Sequence, residues 1–152
     1  MPILTDEIKA FVRNQKLCFA ATVCPDGTPN LSPKGTITIW DDEHLAFANI
    51  YSPGTVNNLL INPSIEINVV DVFTRKGYRF KGVAEVVSKG KIFEGVISSY
   101  GDAGKKYPIK NIVLVMVERV LPLMSPVYDT GESEEQVKNR WVEYWTSMHA
   151  KA

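Results

Sequence analysis

Two extended runs that meet at a tight turn constrain this chain more than any other feature. LCFAATVC (17–24) leads into Pro25-Asp26-Gly27-Thr28, and the chain resumes as a second extended segment over 29–40. Proline and aspartate followed by glycine favour a β-turn, so the flanking runs are expected to pair antiparallel. The pattern then repeats. Asp41-Asp42-Glu43-His44 is a polar turn before the strand LAFANI (45–50), SIEINVVDV (64–72) and YRFKGVAEVV (78–87) follow, and NIVLVMVERVLPL (111–123) is dense in β-branched residues. About six strands in this length, joined mainly by short turns, favour antiparallel closure into a barrel.

Helical periodicity accounts for the rest. Leu4, Ile8, Phe11 and Val12 recur at helical spacing behind Thr5, a good N-cap, with Asp6 and Glu7 at the positive end of the dipole. Ser52-Pro53-Gly54-Thr55 opens a short helix that ends near Asn62-Pro63, and KIFEGVISSYG (91–101) is a helix closed by Gly101. From Ser133 to Met148 the residues Val137, Trp141, Tyr144, Trp145 and Met148 share one helical face. The expected class is therefore mainly β with helices, a six-stranded antiparallel β-barrel. One domain over 1–152 suits the length of 152 residues.

Charge and cysteine content narrow the function. Seventeen basic residues balance seventeen acidic ones, so no global field draws the chain to nucleic acid or to an anionic membrane. The longest apolar run, IVLVMV at 112–117, is strand-sized, and the N-terminus begins with acids where a signal peptide would be basic. A cytoplasmic location is the expectation. Cys18 and Cys24 are too few for a disulfide framework and match no zinc spacing. On one strand they would lie about 20 Å apart at ~3.3 Å per residue, too far to bond. His44 and His149 complete no metal set with them, and no metal is expected.

Three stretches can carry chemistry. NLSPKGTIT (30–38) sets Ser32, Lys34 and Thr36 on one face, with Pro33 and Gly35 disturbing regular pairing. Exposed amides there suit the polar edge of a flat ligand, and a solvated edge strand is the plainer reading. ANIYSPGTVNNLL (48–60) brings a strand end onto a helix start, where free N–H groups make an anion site and ordinary capping is the alternative. In the third stretch, alternation along a strand places Arg75, Arg79 and Lys81 on one side, either to grip phosphate or as a solvated charged face.

Read in order, FAATVCPDGTPNLSPKG (19–35), LAFANIYSPGTVNNLLINPSIEI (45–67) and YRFKGVAEVV (78–87) resemble the FMN-binding split-barrel proteins of the pyridoxamine 5′-phosphate oxidase superfamily. That resemblance implies a split β-barrel and an FMN cofactor. It implies that Ser32, Pro33, Lys34, Gly35 and Thr36 lie along the isoalloxazine ring, and that Ala48 and Asn49 flank the ring and ribityl chain. Ser52, Thr55 and Asn58 would hold the phosphate and Arg79 would neutralise it. It also implies a homodimer with the cofactor site at the subunit interface, with Trp141 and Trp145 at that interface, over the flavin, or simply in the core. The basic residues that true pyridoxamine phosphate oxidases carry at the helix start are replaced here by Pro53, Gly54 and Thr55, which argues against vitamin B6 oxidation.

The functional expectation is an FMN-dependent oxidoreductase acting on a small redox substrate, with Lys34 as the one candidate catalytic side chain. A non-catalytic FMN carrier or sensor is the alternative, and heme or deazaflavin binding on the same fold is a third reading.

Overall fold

A computed structural model describes all residues, 1–152. Thr5 begins α1 (Asp6–Gln15) by accepting a hydrogen bond from the Ile8 amide, and Lys16 ends it in the left-handed conformation. The first strands are β1 (Cys18–Val23) and β2 (Pro29–Lys34), followed by the two-residue β3 (Thr38–Ile39) and β4 (His44–Asn49). Then come α2 (Pro53–Ile61), β5 (Ser64–Asp71) and the long β6 (Lys76–Val87). Two helices, α3 (Lys91–Ser99) and α4 (Asp102–Lys106), precede β7 (Asn111–Met124). A 3-10 turn (Pro126–Thr130) leads to the terminal α5 (Glu134–Ala150).

All seven strands join one antiparallel sheet in the order β2-β1-β5-β6-β7-β4-β3, with β2 and β3 as its two edges. This is a split β-barrel. It has seven strands rather than six because the segment 29–40 breaks at Gly35–Ile37 into β2 and β3, which lie at opposite ends of the sheet. One sequence segment thus spans the split.

Both faces of β4 are covered, and alternation explains how. Leu45 and Phe47 face the main core with Val113, Val115 and Val117 of β7, where Phe80, Ile67, Leu4 and the α1 residues Ile8 and Val12 also pack. Ala46, Ile112 and Leu114 point the other way, against Val96 of α3 and its neighbours Trp40, Ile92 and Phe93. Alternate residues of β4 and β7 therefore feed two separate apolar clusters, and a helix covers the face that would otherwise be exposed.

The tail forms the expected helix. Ser133 and Gln136 build a reciprocal capping box, and Val137 is fully buried. Replacing Ser133 with alanine should cost about 1 kcal/mol, read as a lowered chemical-denaturation midpoint. Arg75 corrects the strand reading of its segment: at φ 58° it sits in the β5–β6 turn, not in strand alternation with Arg79 and Lys81. Its guanidinium lies 3.6 Å from the Trp141 ring centroid, an attraction that helps hold α5 to the sheet. Trp145 is 38% exposed and joins Val72 and Phe73 around a hollow of about 450 Å³.

Candidate functional site

The split in the sheet brings the first two candidate stretches together. Lys34 ends β2 opposite Cys18, on the barrel-facing side, and is only 4% exposed. Its ammonium donates to Ser32 Oγ and to Ser52 Oγ, each at 2.7 Å. Both partners are neutral, and Lys34 takes part in none of the chain's ion pairs. Burial pulls its pKa below the usual lysine value, opposed by the nearby Cys18 sulfur. The same burial pushes the Cys18 thiol up to about 12, with Lys34 pulling the other way, so Cys18 is a core thiol and no nucleophile.

Ser52 is the N-cap of α2, yet its hydroxyl caps no amide of that helix. It is held instead by its own amide, which donates to Asn49 Oδ1 at 2.9 Å, while Asn49 Nδ2 donates to Asn111 Oδ1 at 2.9 Å. Asn111, Asn49, Ser52, Lys34 and Ser32 therefore form one polar chain from the start of β7 to the edge strand. Pro53 has no N–H, and the amides of Gly54 and Thr55 at the first turn receive no side-chain cap. An uncapped helix start beside a buried, unpaired ammonium is the electrostatic complement of an anion.

The remaining expected site residues divide clearly. Thr36 is tied to β4, since its Oγ1 accepts from the Ala48 amide at 2.9 Å. Ala48, Thr55 and Asn58 are buried within the chain. Asn58 Nδ2 donates to Thr22 Oγ1 at 3.0 Å, which pins α2 to β1. Arg79 is not brought to this cluster. Its register, Arg79 opposite Asn68, Asn68 opposite Phe19 and Phe19 opposite Pro33, places it on the outer face of the sheet, whereas Lys34 and Cys18 point inward. There its Nε lies 2.9 Å from Glu66 Oε1, and Lys81 pairs with the other oxygen of the same carboxylate at 3.0 Å.

Gly35 and Thr36 also line a cleft of about 700 Å³, within the size range of small-molecule sites. Its other walls come from the end of α1, from Ile50, and from α3, α4 and the loop after them. Tyr100, the C-cap of α3, closes it, its hydroxyl donating to the Thr36 carbonyl at 2.8 Å. Burial pushes that phenol up to about 12. Sequence reasoning missed Arg13, Lys16, Tyr100 and Tyr107 in this lining, as well as Asn111 behind Asn49. The one visible hint was Asn111, a polar residue opening an otherwise β-branched run. Neither Trp141 nor Trp145 lines the cleft. No three His, Cys, Asp or Glu side chains converge as a metal site. No helix is long and apolar enough to cross a membrane.

A split barrel with an uncapped helix start beside a cleft of small-molecule size is the class that fold and site define. The sequence profile of the pyridoxamine 5′-phosphate oxidase family matches residues 4–123. Among solved structures, HupZ of Group A Streptococcus is 34% identical, covering 80% of this chain and 94% of that one, with a TM-score of 0.72. An FMN-binding protein of Syntrophomonas wolfei shares the fold at 16% identity and a TM-score of 0.69, covering 80% of this chain and 87% of that one. An uncharacterized protein of Methanocaldococcus jannaschii is 29% identical over 90 residues, 58% of this chain and 59% of that relative's length. The chain belongs to the pyridoxamine 5′-phosphate oxidase family.

Proposed function

We propose that this protein is an FMN-dependent oxidoreductase, with the ring edge against the backbone of 35–36 and the phosphate at the start of α2. The observation that carries the reading is the buried Lys34 ammonium, held by two neutral serines at an uncapped helix start. A lone buried cation is costly, and a phosphate placed there would supply the missing negative charge. Lys34 Nζ bridges Ser32 of the ring stretch and Ser52 at the helix start, and the reading gives it the role of binding phosphate. The residues fit the cofactor: Ser32, Ser52 and Lys34 supply phosphate donors, and the exposed Gly35 lets a flat ring approach the chain closely. FMN would supply the electron transfer, while the protein provides orientation, dipoles and a partly dry slot.

Arg79 on the outer face, beyond reach of this cluster within one chain, is consistent with a homodimer in which a second copy completes the site. Sedimentation of the flavin-loaded protein should report a dimer, and a monomer that retains tight flavin binding would sink that part of the reading. The cleft lining contains no carboxylate and no histidine, which favours a second reading as an electron carrier. Stopped-flow reduction by nicotinamide nucleotides separates the two, since only the enzyme turns over repeatedly with a substrate. For the cofactor, a visible spectrum of freshly purified protein should show an oxidised flavin, and mass spectrometry of the released ligand should give FMN. A heme band or a deazaflavin mass would replace the proposal with one of those cofactors.

A further inference from the structure

The family profile ends at residue 123, so α5 lies beyond it. The first half of that helix holds it to the sheet: Glu134 pairs with Lys76, Val137 is fully buried, and Trp141 lies under the Arg75 guanidinium. The second half has no such support. Every residue after Trp141 is exposed, among them Val142, Tyr144, Trp145 and Met148 at 38–47%. Helical turns this short draw their stability from a packed face, and these carry four large apolar side chains into water. An apolar patch of that kind marks an interaction surface.

The patch is shaped as a groove. Val142, Trp145, Thr146 and His149 recur at helical spacing along one wall, and Val72 and Phe73 of the β5–β6 turn form the other, around the hollow of about 450 Å³. Followed back along the helix, the same stripe passes Lys138 and reaches Glu135. Glu135, Val142 and His149 thus stand at seven-residue intervals on one face. Glu135 takes part in none of the chain's ion pairs, unlike Glu134. The stripe therefore has a free carboxylate at its start, an apolar middle and a basic end.

A stripe in this order is complementary to itself when reversed. In an antiparallel pair about a two-fold axis beside Val142, Glu135 of each copy meets His149 of the other, because both stand seven residues from the axis. The two Val142 side chains meet, Trp145 of each copy flanks them on either side, and the two helix dipoles oppose.

We propose that the exposed half of α5 docks against a second copy of this chain, α5 to α5 and antiparallel, with Val72 and Phe73 closing over the partner helix. A foreign partner would have to bring an apolar ridge with a base at one end and an acid at the other, and the reversed α5 has all three. The contact stands without the flavin, and it supplies an apolar interface for the homodimer proposed above.

Disulfide cross-linking of Val142→Cys under mild oxidation tests it, in flavin-free and flavin-loaded protein. Ser147→Cys, also exposed but on the far side of the helix, is the matched control, and wild type gives the background from Cys24. Val142→Cys is expected to cross-link at least about tenfold faster than Ser147→Cys, because docking holds the two thiols together across the axis. Adding Glu135→Lys should slow the reaction about fivefold, two exposed charge pairs being lost, and adding His149→Glu as well should restore it. A parallel pair would also join the two 142 positions but would not answer to this swap, so the swap fixes the direction. Equal rates at 142 and 147, no disulfide at 142, or a swap that fails to restore the rate would each overturn the proposal. Wild-type protein that pellets with vesicles of phosphatidylcholine and phosphatidylglycerol, with 142 not cross-linked, would assign the face to a lipid surface instead. The flavin reading is scored separately, by FMN titration of the wild-type protein. Fast cross-linking at 142 in a protein that binds no FMN would uphold the helix contact and remove the flavin.

Discussion

Lys34→Met is expected to weaken FMN binding by about 10- to 100-fold, the loss of a charge-assisted contact of roughly 1.5–3 kcal/mol at about 1.4 kcal/mol per decade. The flavin-free variant should be at least as stable as the wild type. In the free protein the ammonium is buried against two serine hydroxyls with no counter-charge, and methionine fills similar space without a charge to desolvate. A structural lysine would behave in the opposite way, with stability lost and flavin affinity kept. Fluorescence titration with FMN and denaturant unfolding of the same two proteins therefore decide the matter.

The pH dependence supplies a second readout. Burial holds the folded-state pKa of Lys34 below the unfolded value of 10.5. Between those two values the unfolded chain binds more protons, so the stability of the flavin-free protein should rise with pH through that window. Above 10.5 the gain is complete, and it is lost as pH falls through the lowered folded value. Lys34→Met should flatten this slope. Bound phosphate should flatten or invert it, because an adjacent anion favours the charged amine. A wild-type slope identical to that of the variant would show that Lys34 does not titrate as its surroundings require.

Gly82→Ala is expected to be the most damaging single-methyl change in the barrel. A Cβ at that position would lie 2.0 Å from the Met116 carbonyl oxygen and 3.2 Å from the Val117 Cα, both backbone atoms of the neighbouring strand. The register between β6 and β7 shifts between Lys81 and Gly82, so the two backbones approach most closely where the ladder is irregular. These are main-chain atoms of β7, which cannot rotate away as a side chain could. A loss of about 3 kcal/mol or more follows from overpacking of this kind. For a chain of this size that is a fall of roughly 6–12 °C in melting temperature. Gly54→Ala is the matched control: a Cβ there meets nothing within 4 Å, so its melting temperature should hold or rise slightly. Calorimetric scans that show Gly82→Ala melting with the wild type would mean that β6 and β7 are farther apart than described. Gly82 is thus explained by packing between strands, and no ligand is needed to account for it.

Local pattern determined much of this protein. Turn residues at 25–28 and 41–44, the Thr5 and Ser133 caps, Pro53 at a helix start and the β-branched run from Asn111 each act over a few neighbouring residues, and each element appears where those signals place it. The family was legible for the same reason, because its motifs are contiguous segments. Tertiary structure alone decided which face of 29–34 turns inward. Alternation separates Leu31 and Pro33 from Asn30, Ser32 and Lys34, but hydrophobicity would bury the first set. In the fold Leu31 is 67% exposed and Lys34 is 4% exposed. The inversion arises because Ser52, eighteen positions further along, offers Lys34 a partner beside an uncapped helix. The same long-range geometry sent Arg79 to the outer face and assembled the cleft from α1, the 35–38 break and α3–α4. Spacing along a chain reports what neighbours can do for one another. It carries no record of which distant segments the curl of a sheet brings within hydrogen-bond reach.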